Sequence, residues 1–204
     1  MDYSLIANIR YGYGPGLNPV TDATPEALIY NMLKEDSVAE FFPVSDWKSA
    51  IPLHTKTTEA FQAYKAGREP ESSYRSLYEL RAQAGNDFCK SLIGRAMYGN
   101  SAFKERLVFF WSDHFSISRH ASSLLRLLTP CFVNDAIRPH VSGRFSEMLR
   151  AITFHPAMLH YLNLRGSTGA RSLAGILKGR TPNENFARES VSYTHLTLPT
   201  IYSV

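Results

Sequence analysis

The stretch Phe103-Lys-Glu-Arg-Leu-Val-Phe-Phe-Trp-Ser-Asp-His-Phe-Ser-Ile-Ser118 decides the fold class. Phe103, Leu107, Trp111 and Phe115 recur every fourth residue, the spacing that stacks side chains along one face of an α-helix. Val108, Phe109 and Phe110 widen that face, so a helix here is expected to be enclosed by neighbours rather than laid on a surface. Arg106, Asp113 and His114 sit inside the same apolar run. Buried charge has to be paired, so these three form either a structural network or the edge of a functional site, since both kinds of network perturb their groups. The expected fold is all-α, an irregular multi-helix bundle around a central buried helix at about 103–118, with no substantial sheet.

Upstream, Glu71 to Tyr98 carries a long helical period whose buried side is marked by Leu77, Leu80, Ala84, Phe88, Leu92 and Met97, interrupted only by Gly85 and Gly94. Gly99-Asn100-Ser101 ends it and caps the helix that follows. Thr57 to Ala66 is a further helical stretch, whereas Val38 to Leu53, with Pro43 and Pro52, reads as irregular. Thr24-Pro25-Glu26 supplies an N-cap with proline at the first helical position, and the helix it starts fades near Lys34. Residues 2–10 put Leu5, Ile6 and Ile9 on one face of a short helix that stops at Gly12-Tyr-Gly-Pro-Gly16. A phosphate-cradling loop follows a strand and opens a helix. This glycine run follows a helix instead, so a left-handed C-terminal glycine cap is expected.

Downstream, Leu124 to Leu128 and Cys131 to Ile137 are helical, and Pro139 breaks the second. Phe145, Met148, Leu149 and Ile152 form the apolar side of another helix, and His155-Pro156 starts the next, with His155 in its cap region. Residues 165–182 have the composition of a surface loop, and Thr181-Pro-Asn-Glu184 is a capping box that opens a helix at Asn183. His140 lies at a helix end, where a cation suits the dipole. His54, His120 and His160 have no partner visible in the sequence.

At 204 residues the chain suits one substantial domain, burying about 70% of its unfolded surface. Its net charge of +4 comes from scattered Lys and Arg with no run of five like charges, so no nucleic-acid partner is expected. Cys89 and Cys131 lie in apolar helical patterns without CxxC or zinc spacing and are expected as buried free thiols. The N-terminus has neither a basic leader nor a long apolar stretch, so no signal peptide or membrane span is expected and a cytoplasmic location is the default.

Several motifs occur together in order: Ile6-Ala-Asn-Ile-Arg-Tyr-Gly-Tyr-Gly-Pro-Gly16, Glu105-Arg-Leu-Val-Phe-Phe-Trp-Ser-Asp-His-Phe115, Ala136-Ile-Arg-Pro-His140, Gly143-Arg-Phe145, His155-Pro-Ala-Met-Leu-His-Tyr-Leu162 and Asn183-Glu-Asn-Phe-Ala-Arg-Glu189. Together they resemble the bacterial family called Domain of Unknown Function 1800, over nearly all of residues 5–189. The resemblance implies a largely α-helical protein, longer than this chain and often encoded beside a sulfatase-like protein that is a candidate partner. It supplies no proven catalytic residues. The family usually has Asn where this chain has Asp113, and Asp-Asn after Tyr-Leu where this chain has Asn163-Leu164. The family's Asn183–Glu189 motif continues into Leu-Leu-Glu-Leu-His-Thr-Leu-Gly, which does not follow here.

Those last residues set up the candidate chemistry. Glu184 and Arg188 are one helical turn apart and suited to an ion pair, with Glu184 otherwise a capping residue. Glu189 adds a carboxylate of the type that serves a divalent metal or an acid/base site. The catalytic reading is a helical hydrolase or metal-assisted enzyme that brings His114 and Asp113 toward Asn183, Glu184, Arg188 and Glu189. Its rival is a non-catalytic helical scaffold or export-associated partner, in which the same groups lock helices together.

The final residues, Ser190-Val-Ser-Tyr-Thr-His-Leu-Thr-Leu-Pro-Thr-Ile-Tyr-Ser-Val204, read as the translation of a transposon-type sequencing adapter, as expected of a metagenomic fragment. On that reading, Val191–Thr200 are adapter-encoded, Ile201–Ser203 come from its index, and residues 1–189 are a truncated N-terminal part of one helical domain. His195 is therefore no candidate for a site. Continuous coding sequence for Val191–Val204 in adapter-free source DNA would refute this.

Overall fold

The computed structural model describes residues 3–14, 19, 24–34, 37–179, 182–185 and 187–189. The expected tail from Ser190 onward and Thr181 of the expected capping box lie outside the described residues. The helices are α1 (Tyr3–Tyr11), α2 (Pro25–Leu33), α3 (Trp47–Lys65), α4 (Glu71–Tyr98), α5 (Ala102–His114), α6 (Ser123–Phe132), α7 (Phe145–Phe154), α8 (Pro156–Tyr161) and α9 (Leu173–Lys178). A π turn (Val133–Ile137) and a 3-10 turn (Arg138–His140) follow α6. Among the described residues there is no strand, and no helix is long and apolar enough to cross a membrane. The fold is all-α.

Local chemistry accounts for most boundaries. Thr24 Oγ1 accepts from Ala27 N–H at 3.3 Å, with Pro25 at the first helical position. Ser101 caps α5 through Lys104 N–H, and Ser122 caps α6 through Leu125 N–H. Beyond α1 the chain turns through Gly14 at φ 88°, a left-handed conformation glycine adopts without a Cβ penalty, and Gly14 N–H returns to Asn8 O. The expected irregular segment up to Leu53 ends earlier, because Asp46 accepts from Ser49 N–H at 2.8 Å and starts α3 at Trp47. Pro52 then sits inside the helix with its ring exposed, leaving the carbonyl one turn back to water. The expected loop at 165–182 contains α9, capped by Ser172 and closed by Gly179 at φ 58°.

The core is centred on α6, which buries Leu125, Leu127, Leu128, Pro130, Cys131 and Phe132 against α3, α4 and α8. Enclosure thus falls to α6, while α5 meets the core on one side only. Val108 and Phe115 of that region are fully buried, but Phe109 is 38% and Phe110 58% exposed. The α3–α4 hairpin supplies the second layer. Gly94 lets α4 approach the Phe42 ring so closely that an added Cβ would lie 2.3 Å from it. Phe42 O accepts from both Ser91 Oγ and Arg95 Nη2, fixing that segment on α4.

Three faces differ from the periodicity reading. α1 buries Ala7 and Asn8, the latter donating to Ser4 O, and leaves Leu5 and Ile9 exposed. Leu80 of α4 is exposed, its place being taken by Gly85, Ser91, Gly94, Arg95 and Ala96. Cys131 is buried, but Cys89 is exposed; both are free thiols.

Candidate functional site

One face of α3, the series Ile51, His54, Thr55, Thr58 and Phe61, runs along a groove, because residues three and four apart share a helix face. At one end is a cavity of about 700 Å³ whose apolar lining includes Leu124, Leu128, Pro156, Leu159 and Leu164. At the other is a cavity of about 500 Å³ lined by aromatic and charged residues of α3 and α4, with Ser123 common to both. The N-terminus of α6 is therefore the junction.

At that junction Ser122 Oγ lies 3.1 Å from His160 Nε2 of α8 and accepts from Leu125 N–H at 3.1 Å. With His160 protonated on Nδ1, the serine O–H donates to Nε2, the relation required of a nucleophile and its base. The backbone N–H groups of Ser123 and Leu124, in the first turn of α6, make no hydrogen bond among the described residues. They are open donors at a helix N-terminus. His54 lines the same cavity, and its buried Nδ1 has no hydrogen-bond partner among the described residues. Burial, then the nearby Arg81 cation and His160, hold the His54 pKa below the usual histidine value, which keeps the ring neutral.

A second polar cluster lies deeper. Arg138 Nη1 and Nη2 donate to Glu105 Oε1 and Oε2, the second bond at 2.9 Å, forming a bidentate pair with side chains 10% and 5% exposed. His155 caps α8 by accepting Ala157 N–H on Nδ1, so in the neutral ring the proton is on Nε2, 3.8 Å from Asp135 Oδ2. Asp135, on the π turn, also accepts Trp47 N–H at the start of α3. Burial, with Asp135 nearby, pushes the Cys131 thiol up to about 12. It donates to Ser45 O and Leu127 O and stays protonated, which removes it as a nucleophile.

The residues singled out from sequence lie on two segments of the chain. His114, at the end of α5, is packed among the rings of Phe110, Trp111 and Phe115, and Asp113 beside it is exposed. Arg106 does not join them: its Nη1 donates to Ile9 O and Gly12 O and closes the end of α1. Asn183 donates to Leu162 O and Asn163 O beyond α8, and its Oδ1 accepts Asn185 N–H. Glu184 and Arg188 form the expected ion pair at 2.6 Å with both side chains exposed, and Glu189 follows half-buried. Among the described residues no group of three or more His, Cys, Asp and Glu is arranged to hold a metal ion. Ser122, His160 and His54 escaped the sequence reading. Ser122 three residues before Leu125 was readable as a cap, but its histidine is 38 residues away.

Comparison with curated proteins and with solved structures returns no match. The profile of the family described as "Protein of unknown function (DUF1800)" matches residues 6–192. With that match spanning most of its length, the chain belongs to the DUF1800 family.

Proposed function

We propose that this chain is a helical hydrolase that cleaves acyl esters in the groove between α3, α6 and α8, with Ser122 as nucleophile and His160 as general base. The observation that carries the reading is the 3.1 Å Ser122–His160 pair at the mouth of a 700 Å³ apolar cavity. Ser122 Oγ attacks the ester carbonyl carbon while its proton passes to Nε2. The C–O bond to the leaving alcohol then breaks, and His160 returns that proton to the alcohol oxygen. Water attacks the acyl-serine, gives a proton to His160 and expels Ser122, which takes the proton back. The open N–H groups of Ser123 and Leu124 suit the oxyanion formed in each half.

The test is turnover of 4-nitrophenyl butyrate with Ser122→Ala and His160→Gln. Loss of about 10³-fold or more in kcat/KM for each is expected, with folding retained. Turnover unchanged in both variants refutes the assignment.

The non-catalytic scaffold, or export-associated partner of a sulfatase-like protein, is supported by a different observation. Asn183 is spent on backbone carbonyls and Glu184 on Arg188, the pattern of residues that fasten segments. His114, Asp113, Asn183, Glu184, Arg188 and Glu189 belong to this second reading as structural groups, whereas the divalent metal belongs only to the catalytic reading of them. Retained esterase activity after Glu184→Gln and His114→Phe separates the two.

A further inference from the structure

We infer that the aromatic cavity between α3 and α4 is a leaving-group subsite that takes a planar group carrying a negative charge, and that Arg81 recognises the charge. This rests on the hydrolase reading, and it names the substrate class: aliphatic acyl esters of an anionic aromatic alcohol.

The cavity of about 500 Å³ meets the Ser122 junction at Ser123. Its aromatic walls are Phe61, Tyr74 and Tyr78, with Phe61 edge-on to Tyr74 at 5.3 Å between ring centroids, and the Glu71 carboxylate also lines it, within 3.7 Å of Arg75. A flat ring fits such walls, because aromatic pairs favour offset or edge-to-face contact. The two arginines in the lining differ. Arg75 is committed to Glu71 at 3.7 Å and Glu79 at 4.0 Å. Arg81 makes no ion pair among the described residues; its guanidinium lies 4.9 Å from the Tyr78 ring centroid. It is half-buried and close enough to His54 to bias that ring toward neutrality. An uncommitted guanidinium stacked on a ring, beside a serine–histidine pair, is the chemistry that binds a carboxylate in a fork.

The apolar part of the opposite cavity is made by Ile51, four leucines and Pro156, which suits an aliphatic acyl chain. A substrate laid along α3 would thus place its acyl group among Leu128, Leu159 and Leu164, its carbonyl at Ser122, and its aromatic alcohol beneath Tyr78 and Arg81. Hydrolysis releases an aliphatic acid and a hydroxylated aromatic acid.

The experiment compares 4-butyryloxybenzoate with its neutral methyl ester, using the full chain. The carboxylate is expected to have at least a tenfold higher kcat/KM, mainly through KM. Arg81→Gln should abolish that preference by lowering kcat/KM far more for the carboxylate than for the neutral ester, and Arg81→Lys should restore part of it. Equal preference in wild type, or a preference that survives Arg81→Gln, overturns the inference while leaving the serine–histidine reading intact. If neither ester is cleaved, calorimetric titration with 4-hydroxybenzoate decides. Binding that Arg81→Gln removes supports the anion subsite without the hydrolase, and no binding to wild type overturns the subsite.

Discussion

Two polar clusters flank α6, and they differ in what their polar groups face. On one side Glu105 and Arg138 face each other with nearly all their surface buried, and His155 and Asp135 hold helix starts through Ala157 and Trp47 N–H. On the other, Ser122 and His160 meet at the rim of a cavity, and among the described residues His54 has an unsatisfied nitrogen and two backbone N–H groups at the start of α6 are open. The first cluster spends most of its polar groups on the fold, although the buried His155 Nε2 makes no hydrogen bond among the described residues. The second turns its spare groups toward a cavity, which is why the enclosed cluster reads as architecture and the groove as chemistry.

The contrast breaks if the buried pair proves dispensable. Arg138→Met leaves the Glu105 carboxylate buried and uncompensated, a change that typically costs about 3–5 kcal/mol. The urea midpoint should fall accordingly, while Glu105→Leu combined with Arg138→Met should recover much of the loss, because two apolar side chains carry no desolvation penalty. A single variant as stable as wild type would mean the pair is not the anchor its burial implies.

A smaller effect is expected at Gly94, where an added methyl would meet a ring held by stacking on Tyr98 and by the Phe42 carbonyl bonds. Alanine gains about 1 kcal/mol in helix propensity, but overpacking costs about 1–3 kcal/mol, so Gly94→Ala should be net destabilising. Gly85→Ala meets only the end of Arg119 at 3.2 Å, a side chain that can move, and should be neutral or stabilising in the same urea titration.

These glycines also show what the sequence could convey. α4 was legible from end to end because its period continues through both glycines, yet which glycine admits a neighbour depends on Phe42, about 50 residues away in the chain. The cap signals at Thr24, Ser101 and His155 were legible because a cap is local. The early start of α3 is hidden by Pro52, although Asp46 caps it and proline on an exposed helix face costs a bond that water replaces. The faces of α1 and α5 were misjudged because apolar residues all round a helix do not say which side is covered. The groove was not legible at all: its serine and histidine are joined only by packing α6 against α8.

The groove's histidine gives a pH signature. Because burial and the Arg81 charge hold the folded His54 pKa below the ordinary histidine value of 6.5, the unfolded chain binds a proton first as pH falls. Its contribution to stability is therefore complete above about 6.5 and is lost as pH drops from there through the lower folded value. The urea midpoint should fall between about pH 7.5 and 5, and His54→Gln should flatten that fall. Matching pH slopes in the two proteins would remove His54 from the account.

The smallest effect is expected where sequence motifs drew most attention. Glu184 and Arg188 form an exposed pair one turn apart, a class worth about 0.3–0.5 kcal/mol and weakened by salt. Arg188→Ala should therefore shift the urea midpoint barely, and the shift should shrink further at high ionic strength. Asn183→Ala should cost more, because it releases two backbone acceptors beyond α8 and the cap on Asn185. Reversed order, with Arg188→Ala abolishing ester turnover and Asn183→Ala doing little, would move the chemistry out of the α3–α6–α8 groove and back to the Asn183–Glu189 motif. An exposed ion pair can be removed without leaving a buried charge behind, so only a catalytic role could make it matter that much.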